Sequence, residues 1–236
     1  MLQQTARFIL KGLGSLAKGK PIKFASLSYL NMDDLSEKKL SASSKDDFRD
    51  LNVLQTIIEF LALKSAQDGA MAIQLNMASG SSYDAWNQSL PFELNNASKL
   101  YGELYCHNTA KEAILGCSIK QNKEFLLKLL TVKTLVLAKE YSNYLLDFMS
   151  SQQIQLLNET LGELYQEIKY NVVYSLDFFE INDAMIRSAL GSQDGNCYDR
   201  LISEIYSDRN NFGRPDFWRE LYEAKNSGVK TPSSPL

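Results

Sequence analysis

The sequence predicts an all-α protein, and three observations carry that prediction. From Ile154 the apolar positions recur at Leu157, Leu161, Leu164, Ile168, Val172 and Leu176, a single stripe on a helix of about six turns. Only Ile22–Leu30 alternates in the manner of a strand, and no βαβ rhythm follows it. The chain has 236 residues, 44% of them hydrophobic and 22% charged, enough to close a core of helices without disulfide or metal support.

In chain order, residues 1–30 read as an N-terminal helix followed by a short extended segment. Residues 31–44 are Lys-, Asp- and Ser-rich and read as a polar loop. Residues 45–227 read as the helical domain proper. Its first helix shows Leu54, Ile57, Ile58 and Leu61, then Ala72 and Leu75, with Ser44-Lys45-Asp46-Asp47 as a capping-box-like start. The stretch Phe125–Met149 is apolar nearly all round, the pattern of a helix enclosed by others. Near the C-terminus, Asn182 or Asp183 is placed to cap a short helix that Gly191 ends. Asn196 then starts another helix, and Pro215 suits the first residue of the last one. Residues 228–236, with Pro232 and Pro235 among serines, read as a disordered tail.

Composition excludes several function classes. Lys+Arg is 25 against 28 Asp+Glu, a net charge of −3, which is not the basic footprint of a nucleic-acid binder. Lys128, Lys133, Lys139, Glu140 and Asp147 interrupt the most apolar stretch, so no membrane span is expected. Cys106, Cys117 and Cys197 have no CxxC spacing and read as free thiols. With His107 the one histidine, no histidine-based metal site is expected. The first 32 residues hold Arg7, Lys11, Lys18, Lys20 and Lys23 and no acid, a transit-peptide-like composition that an acid-poor surface segment also explains.

No pattern assembles a catalytic set. Gly14-Ser15-Leu16-Ala17-Lys18-Gly19-Lys20-Pro21 approaches the phosphate-binding GxxxxGK[ST], but Pro21 stands where the magnesium-binding hydroxyl belongs; a glycine-punctuated turn accounts for it. Cys106 and His107 are adjacent, about 100° apart on a helix, so the histidine reads as structural or as an interface residue. Asp33-Asp34 and Asp46-Asp47 read as solvated loop charges. Asp177 and Glu180 sit among Leu176, Phe178, Phe179 and Ile181, and an ion pair at a helix end, with Arg187 as partner, is expected. Tyr101, Tyr105, Tyr141, Tyr144, Tyr165, Tyr170 and Tyr174 read as packing or subunit-interface residues.

Several segments, in order, resemble the peroxisomal acyl-CoA oxidases. Leu2-Gln3-Gln4-Thr5-Ala6-Arg7-Phe8-Ile9-Leu10-Lys11 is similar to that family's L-Q-T-A-R-[FY]-L-x-K segment. Ser28-Tyr29-Leu30 and Ala85-Trp86-Asn87 resemble its S-Y-L and A-W-N positions, and Leu104-Tyr105-Cys106-His107 a histidine-containing helix. Asp177-Phe178-Phe179-Glu180-Ile181-Asn182-Asp183 and Leu190-Gly191-Ser192-Gln193-Asp194-Gly195-Asn196-Cys197-Tyr198 resemble its D-x-F-x-x-x-D and L-G-x-x-D-G-N-V-Y signature.

The resemblance implies the C-terminal helical domain at 45–227, preceded at 1–30 by the end of a flavin-lined helical domain. It implies FAD-dependent oxidation of fatty acyl-CoA to trans-2-enoyl-CoA with release of hydrogen peroxide, in which a glutamate takes the α-proton. That glutamate lies in a Y-E-G-[DE]-N-type segment that this sequence lacks, so no catalytic residue carries over and no turnover or stable flavin binding is expected of the chain alone. Gln4, Thr5 and Arg7 are the positions implied nearest the flavin and the subunit interface. A homodimer, or pairing with a complete subunit, is implied. So is a peroxisomal location, although Ser234-Pro235-Leu236 departs from the S-K-L address, leaving a cytoplasmic location open.

Overall fold

The computed structural model describes residues 2–32, 38–78 and 80–226, with the side chains of Asp177, Asp183, Ala184 and Asn226 outside that description. It is all-helical, with no strand among the described residues. The α-helices are α1 (Leu2–Leu16), α2 (Leu51–Met77), α3 (Ser82–Ser89), α4 (Asn95–Leu115), α5 (Lys120–Glu140), α6 (Ser142–Leu145), α7 (Ser151–Leu176), α8 (Asp183–Ile186), α9 (Cys197–Ser207) and α10 (Trp218–Asn226). The chain divides into two compact units, Met1–Val172 and Val173–Leu236.

The first unit is organised around α2. Ile57, Ile58, Phe60, Leu61, Ala62, Leu63 and Ala66 are all buried, so this helix is apolar on every side over its middle turns. Such a helix must be surrounded, and α1, α3, α4, α5 and α6 all pack on it. This corrects the expectation for 125–149. That stretch is not one enclosed helix but α5 and α6, divided at Tyr141, and α5 buries only Leu130, Thr131, Thr134, Leu135 and Ala138. The Lys residues that interrupt it keep its other faces in water. Leu75, placed in the stripe of α2 by spacing, is exposed, because the core ends about two turns before it.

Asp50 caps α2, its carboxylate accepting from the N–H groups of Asn52 (2.7 Å) and Val53 (3.3 Å). The Ser44–Asp47 box also forms: Asp47 Oδ2 accepts from Ser44 N at 2.9 Å, and Ser44 Oγ from Asp47 N at 3.3 Å. It opens the 3₁₀ turn Asp47–Arg49 rather than the long helix, and N–H donation from Ser43 (2.7 Å) and then Ser44 holds the Asp47 carboxyl below the usual range. Leu90–Leu94 is a turn of π-helix between α3 and α4. Pro91 lies within it and has no N–H to donate, which breaks the regular ladder there.

Ile22–Leu30 is not a strand. With no neighbouring strand to pair with, Ala25–Asn31 closes its backbone locally as a 3₁₀ helix. Leu27 and Leu30, three residues apart, then lie together on Gly12 of α1, where an added Cβ would come within 2.9 Å of Leu27 Cδ1. Nor is Gly14 a turn residue: α1 runs through it to Leu16. The helix closes with Gly19 N–H on Leu16 O (2.8 Å) and Lys20 N–H on Ser15 O (3.0 Å), with Gly19 left-handed at φ 67°. This is a helix C-terminus, not a phosphate-binding loop.

Helix α7 begins on a capping box that spacing alone did not pick out. Gln153 N–H donates to Ser150 Oγ (3.2 Å) and Ser150 N–H to Gln153 Oε1 (2.8 Å). The Gln153 amide also donates to the carbonyls of Leu40 and Ala42, both at 2.7 Å, and Leu40 N–H donates to Phe148 O at 3.0 Å. The part of the polar loop that is described is thus pinned; Asp33 and Asp34 lie outside the described residues. Of the expected stripe, Leu157, Leu161, Leu164 and Ile168 are buried, whereas Val172 and Leu176 at its end are exposed. On the opposite character of face, Glu159, Glu163 and Glu167 form a ladder with Lys45 (3.4 and 2.8 Å), Arg49 (3.3 and 2.8 Å) and Lys128 (2.8 Å). Hydrogen bonds from Arg49 and Lys128 hold the Glu167 carboxyl down at about 2.

His107 is buried between α4 and α5. Thr134 Oγ1 donates its proton to Leu130 O (2.9 Å), so His107 Nδ1–H is the donor in the 3.0 Å contact with Thr134, and Nε2 has no partner. Burial, and secondarily Lys111 and Lys133, push its pKa down from 6.5 to about 4. Cys106, its neighbour, is exposed, so the two form no thiol–imidazole pair.

In the second unit, Ala189 is the one buried apolar residue among those described, while Phe178, Met185, Leu190, Tyr198, Ile202, Phe212 and Leu221 are exposed. Asn182 caps α8, accepting at Oδ1 from Met185 N–H (3.0 Å), as expected. The helix stops at Ile186 instead of Gly191, with Arg187 left-handed at φ 50°. Pro215 does not begin α10; it precedes it, its carbonyl accepting from Trp218 N–H at 2.8 Å.

Two outcomes follow for the first unit. Leu61→Ala, at the centre of α2, lowers stability by about 2–5 kcal/mol in chemical denaturation. His107 is neutral when folded and titrates near 6.5 when unfolded, so its contribution is present above pH 6.5 and is lost as pH falls toward 4. The wild type therefore loses on the order of 3 kcal/mol more than His107→Gln over that window, read from melts at stepped pH.

Candidate functional site

The residues implied nearest a cofactor lie on α1. Its buried stripe, Ala6, Ile9 and Gly12, turns Gln4 and Arg7, three residues apart, to the exposed side, with Thr5 half-buried between the two faces. The guanidinium of Arg7 lies 5.1 Å from the centroid of the Trp86 ring. Two segments far apart in the sequence, L-Q-Q-T-A-R and A-W-N, therefore meet. Trp86 is held for this by the buried Ala85 beside it and by a complete capping box: Asp84 N–H donates to Ser81 Oγ (3.2 Å) and Ser81 N–H to Asp84 Oδ2 (3.3 Å). Asp84 is thereby committed to the start of α3.

Ser28-Tyr29-Leu30 contributes to the core beneath α1. Tyr29 and Leu30 are buried, and the Tyr29 ring lies 6.2 Å from that of Tyr101. Burial, then the neighbouring Tyr101, raises the Tyr29 hydroxyl well above its usual pKa, so it stays protonated. Tyr141 and Tyr144 are also buried, as packing requires; Tyr105, Tyr165, Tyr170 and Tyr174 are exposed.

The C-terminal signature forms turns rather than a pocket of acids. Glu180 is exposed and left-handed at φ 50°, and makes no ion pair with Arg187, correcting that expectation for Glu180. The proposed partner of Arg187, the Asp177 carboxylate, lies outside the described residues. In Asp194-Gly195-Asn196, the Asp194 carboxylate accepts from Ser192 Oγ and from Asn196 N–H (2.9 Å), which holds its pKa below the usual range. Asn196 stands at the start of α9, but its side chain makes no cap hydrogen bond. Asp194 orders that turn instead.

The carboxyls that the fold perturbs, Asp47, Glu163, Glu167 and Asp194, are all held ionised by hydrogen bonds, which makes each a weaker base. No cluster of three or more His, Cys, Asp or Glu suited to a metal exists among the described residues. A flavin, the group implied by resemblance, would find on α1 only the polar ends of Gln4 and Arg7 on an open surface. Arg7 lies over the Trp86 ring and has no ion pair among the described residues. The fit is one-sided: donors along one edge, without enclosure.

Comparison with known proteins places these features. The family model for acyl-CoA oxidase matches residues 50–226. Acyl-coenzyme A oxidase acox-1.4 of Caenorhabditis elegans is 30% identical over 204 residues, covering 86% of this chain and 29% of that protein. Peroxisomal acyl-coenzyme A oxidase 2 of Rattus norvegicus is 30% identical over 207 residues, covering 84% of this chain and 30% of the other. The crystal structure of C. elegans acyl-CoA oxidase-2 bound with FAD, ascaroside-CoA and ATP superimposes with a TM-score of 0.78 at 26% identity, covering 98% of this chain and 34% of that one. Arabidopsis thaliana acyl-CoA oxidase 1, at 23% identity and a TM-score of 0.80, has the same fold. The chain thus spans about 29–30% of the length of these curated relatives, and with three quarters of its residues inside the family match it belongs to the acyl-CoA oxidase family.

Proposed function

We propose that this chain is the C-terminal helical part of an acyl-CoA oxidase, contributing structure and contact surface to FAD-dependent oxidation of fatty acyl-CoA in peroxisomal β-oxidation, and inactive alone. The carrying observation is chemical: the carboxyls that the fold perturbs are held ionised by hydrogen bonds, whereas removal of an α-proton needs a carboxylate whose pKa is held up toward the operating pH. When bound in the complete enzyme, FAD accepts the β-hydride and passes electrons to oxygen. The role of Gln4, Thr5 and Arg7 is then positional, lending polar contacts from α1 to a flavin enclosed by other parts of the enzyme. Residues 1–30 and 45–227 serve as the two structural parts of that contribution, and the peroxisome is the proposed location, as in the rat relative's name.

A second reading, a non-catalytic module that pairs with itself or with a complete oxidase subunit, is favoured by the second unit. Leu201, Ile202 and Ile205 of α9 are exposed, as are Tyr198 and Tyr206 beside them. Apolar surface of this density marks an interaction site.

Purified chain supplied with FAD and palmitoyl-CoA yields no hydrogen peroxide above the protein-free control; sustained turnover would refute the proposed inactivity. In light scattering after size exclusion the chain runs as a dimer or co-elutes with a complete oxidase, and Leu201→Glu with Ile205→Glu reduces that association at least tenfold. A monomer that ignores the complete enzyme overturns the pairing.

A further inference from the structure

Beside α1, between the helix and the segment that returns along it, lies an open cavity of about 480 Å³, within the range of small-molecule sites. Its floor is apolar: Phe8, Ile22, Phe24 and Leu27, with Phe8 and Phe24 edge to face at 5.1 Å. Around it stand Lys11, Lys20 and Lys23, all exposed and none in an ion pair among the described residues. No acidic side chain occurs in the first 32 residues, so nothing local neutralises them.

The lysines are not held by the helix end either. The carbonyls of Leu13, Ser15 and Leu16 already accept from the N–H groups of Ala17, Lys20 and Gly19. An apolar floor with unneutralised cations at the rim recognises an anion that carries a hydrophobic group. The lining selects what that group is. It has no Asn, Gln, Asp or Glu to read the edge of a nucleobase, and its one hydroxyl, Ser15 Oγ, donates to Lys11 O at 2.9 Å. Hydrocarbon satisfies this floor, and a base edge does not.

We infer that this cavity binds a fatty carboxylate, its chain on Phe8, Phe24 and Leu27 and its head among Lys11, Lys20 and Lys23. The site is independent of the proposed oxidase role and of any flavin.

Calorimetric titration of the 236-residue chain with sodium dodecanoate, kept below its micelle concentration, tests it. Saturable one-site binding is expected, weakened about tenfold or more by shortening the ligand to octanoate. Lys11→Glu/Lys20→Glu/Lys23→Glu weakens dodecanoate at least tenfold, and Phe24→Ser severalfold, with circular dichroism unchanged because all four side chains are exposed. ATP–magnesium is not expected to compete. Absence of saturable binding, affinity indifferent to chain length, unchanged affinity in the triple variant, or displacement of dodecanoate by ATP–magnesium would each overturn the inference.

Discussion

The burial of α2 on every side is the constraint on which the first unit rests. A helix with Ile57, Ile58, Phe60, Leu61, Ala62 and Leu63 in succession has no face it can leave in water. Its neighbours follow from that need: α1, α3, α4, α5 and α6 all pack against it. The Phe60 and Phe148 rings, stacked at 4.1 Å, tie its centre to the turn before α7. Helices with one polar side suffice to cover it, which is why α4 and α5 each bury a stripe and expose the rest.

Polar groups then set the order in which those helices can be arranged. Gln153 joins the start of α7 to Leu40 and Ala42, and the Glu159–Glu163–Glu167 ladder joins the same helix to Lys45, Arg49 and Lys128. These pairs are largely exposed and individually weak. Their effect is registry, since a rotation of α7 about its axis would separate all three acids from their partners together. The same arrangement holds the Glu163 and Glu167 carboxylates ionised through hydrogen bonds from Lys45, Arg49 and Lys128.

Much of this was legible in sequence. The stripe of α7 from Leu157 to Ile168, the caps at Asn182 and in Ser44–Asp47, and the structural reading of His107 all rest on local rules and are present in the fold. Glu159, Glu163 and Glu167 at i, i+4 and i+8 were an available sign of the ladder, although nothing in the spacing could name Lys45, Arg49 and Lys128 as partners. Ile22–Leu30 was misread because alternation signals a strand only where a second strand exists to pair with. The stretch 125–149 was misread because periodicity reports which residues are apolar and not how many neighbours a helix has. Of the candidate site, the α1 residues were found by family resemblance, while the contact of Arg7 with Trp86 depends on how α1 and α3 pack.

By itself the sequence determined the helical class, the periods and caps of its long helices, the absence of paired cysteines or a histidine cluster, and, through ordered motifs, the acyl-CoA oxidase family. These depend on covalent spacing and on side-chain chemistry, both local properties. Only the tertiary structure decided which helix is central, that His107 is held neutral by burial, that Gly12 serves packing, and that Gly19 ends a helix rather than binding phosphate. It also decided that Lys11, Lys20 and Lys23 surround one apolar floor. Those outcomes depend on which distant surfaces exclude water from one another, and that is settled only when the chain closes on itself.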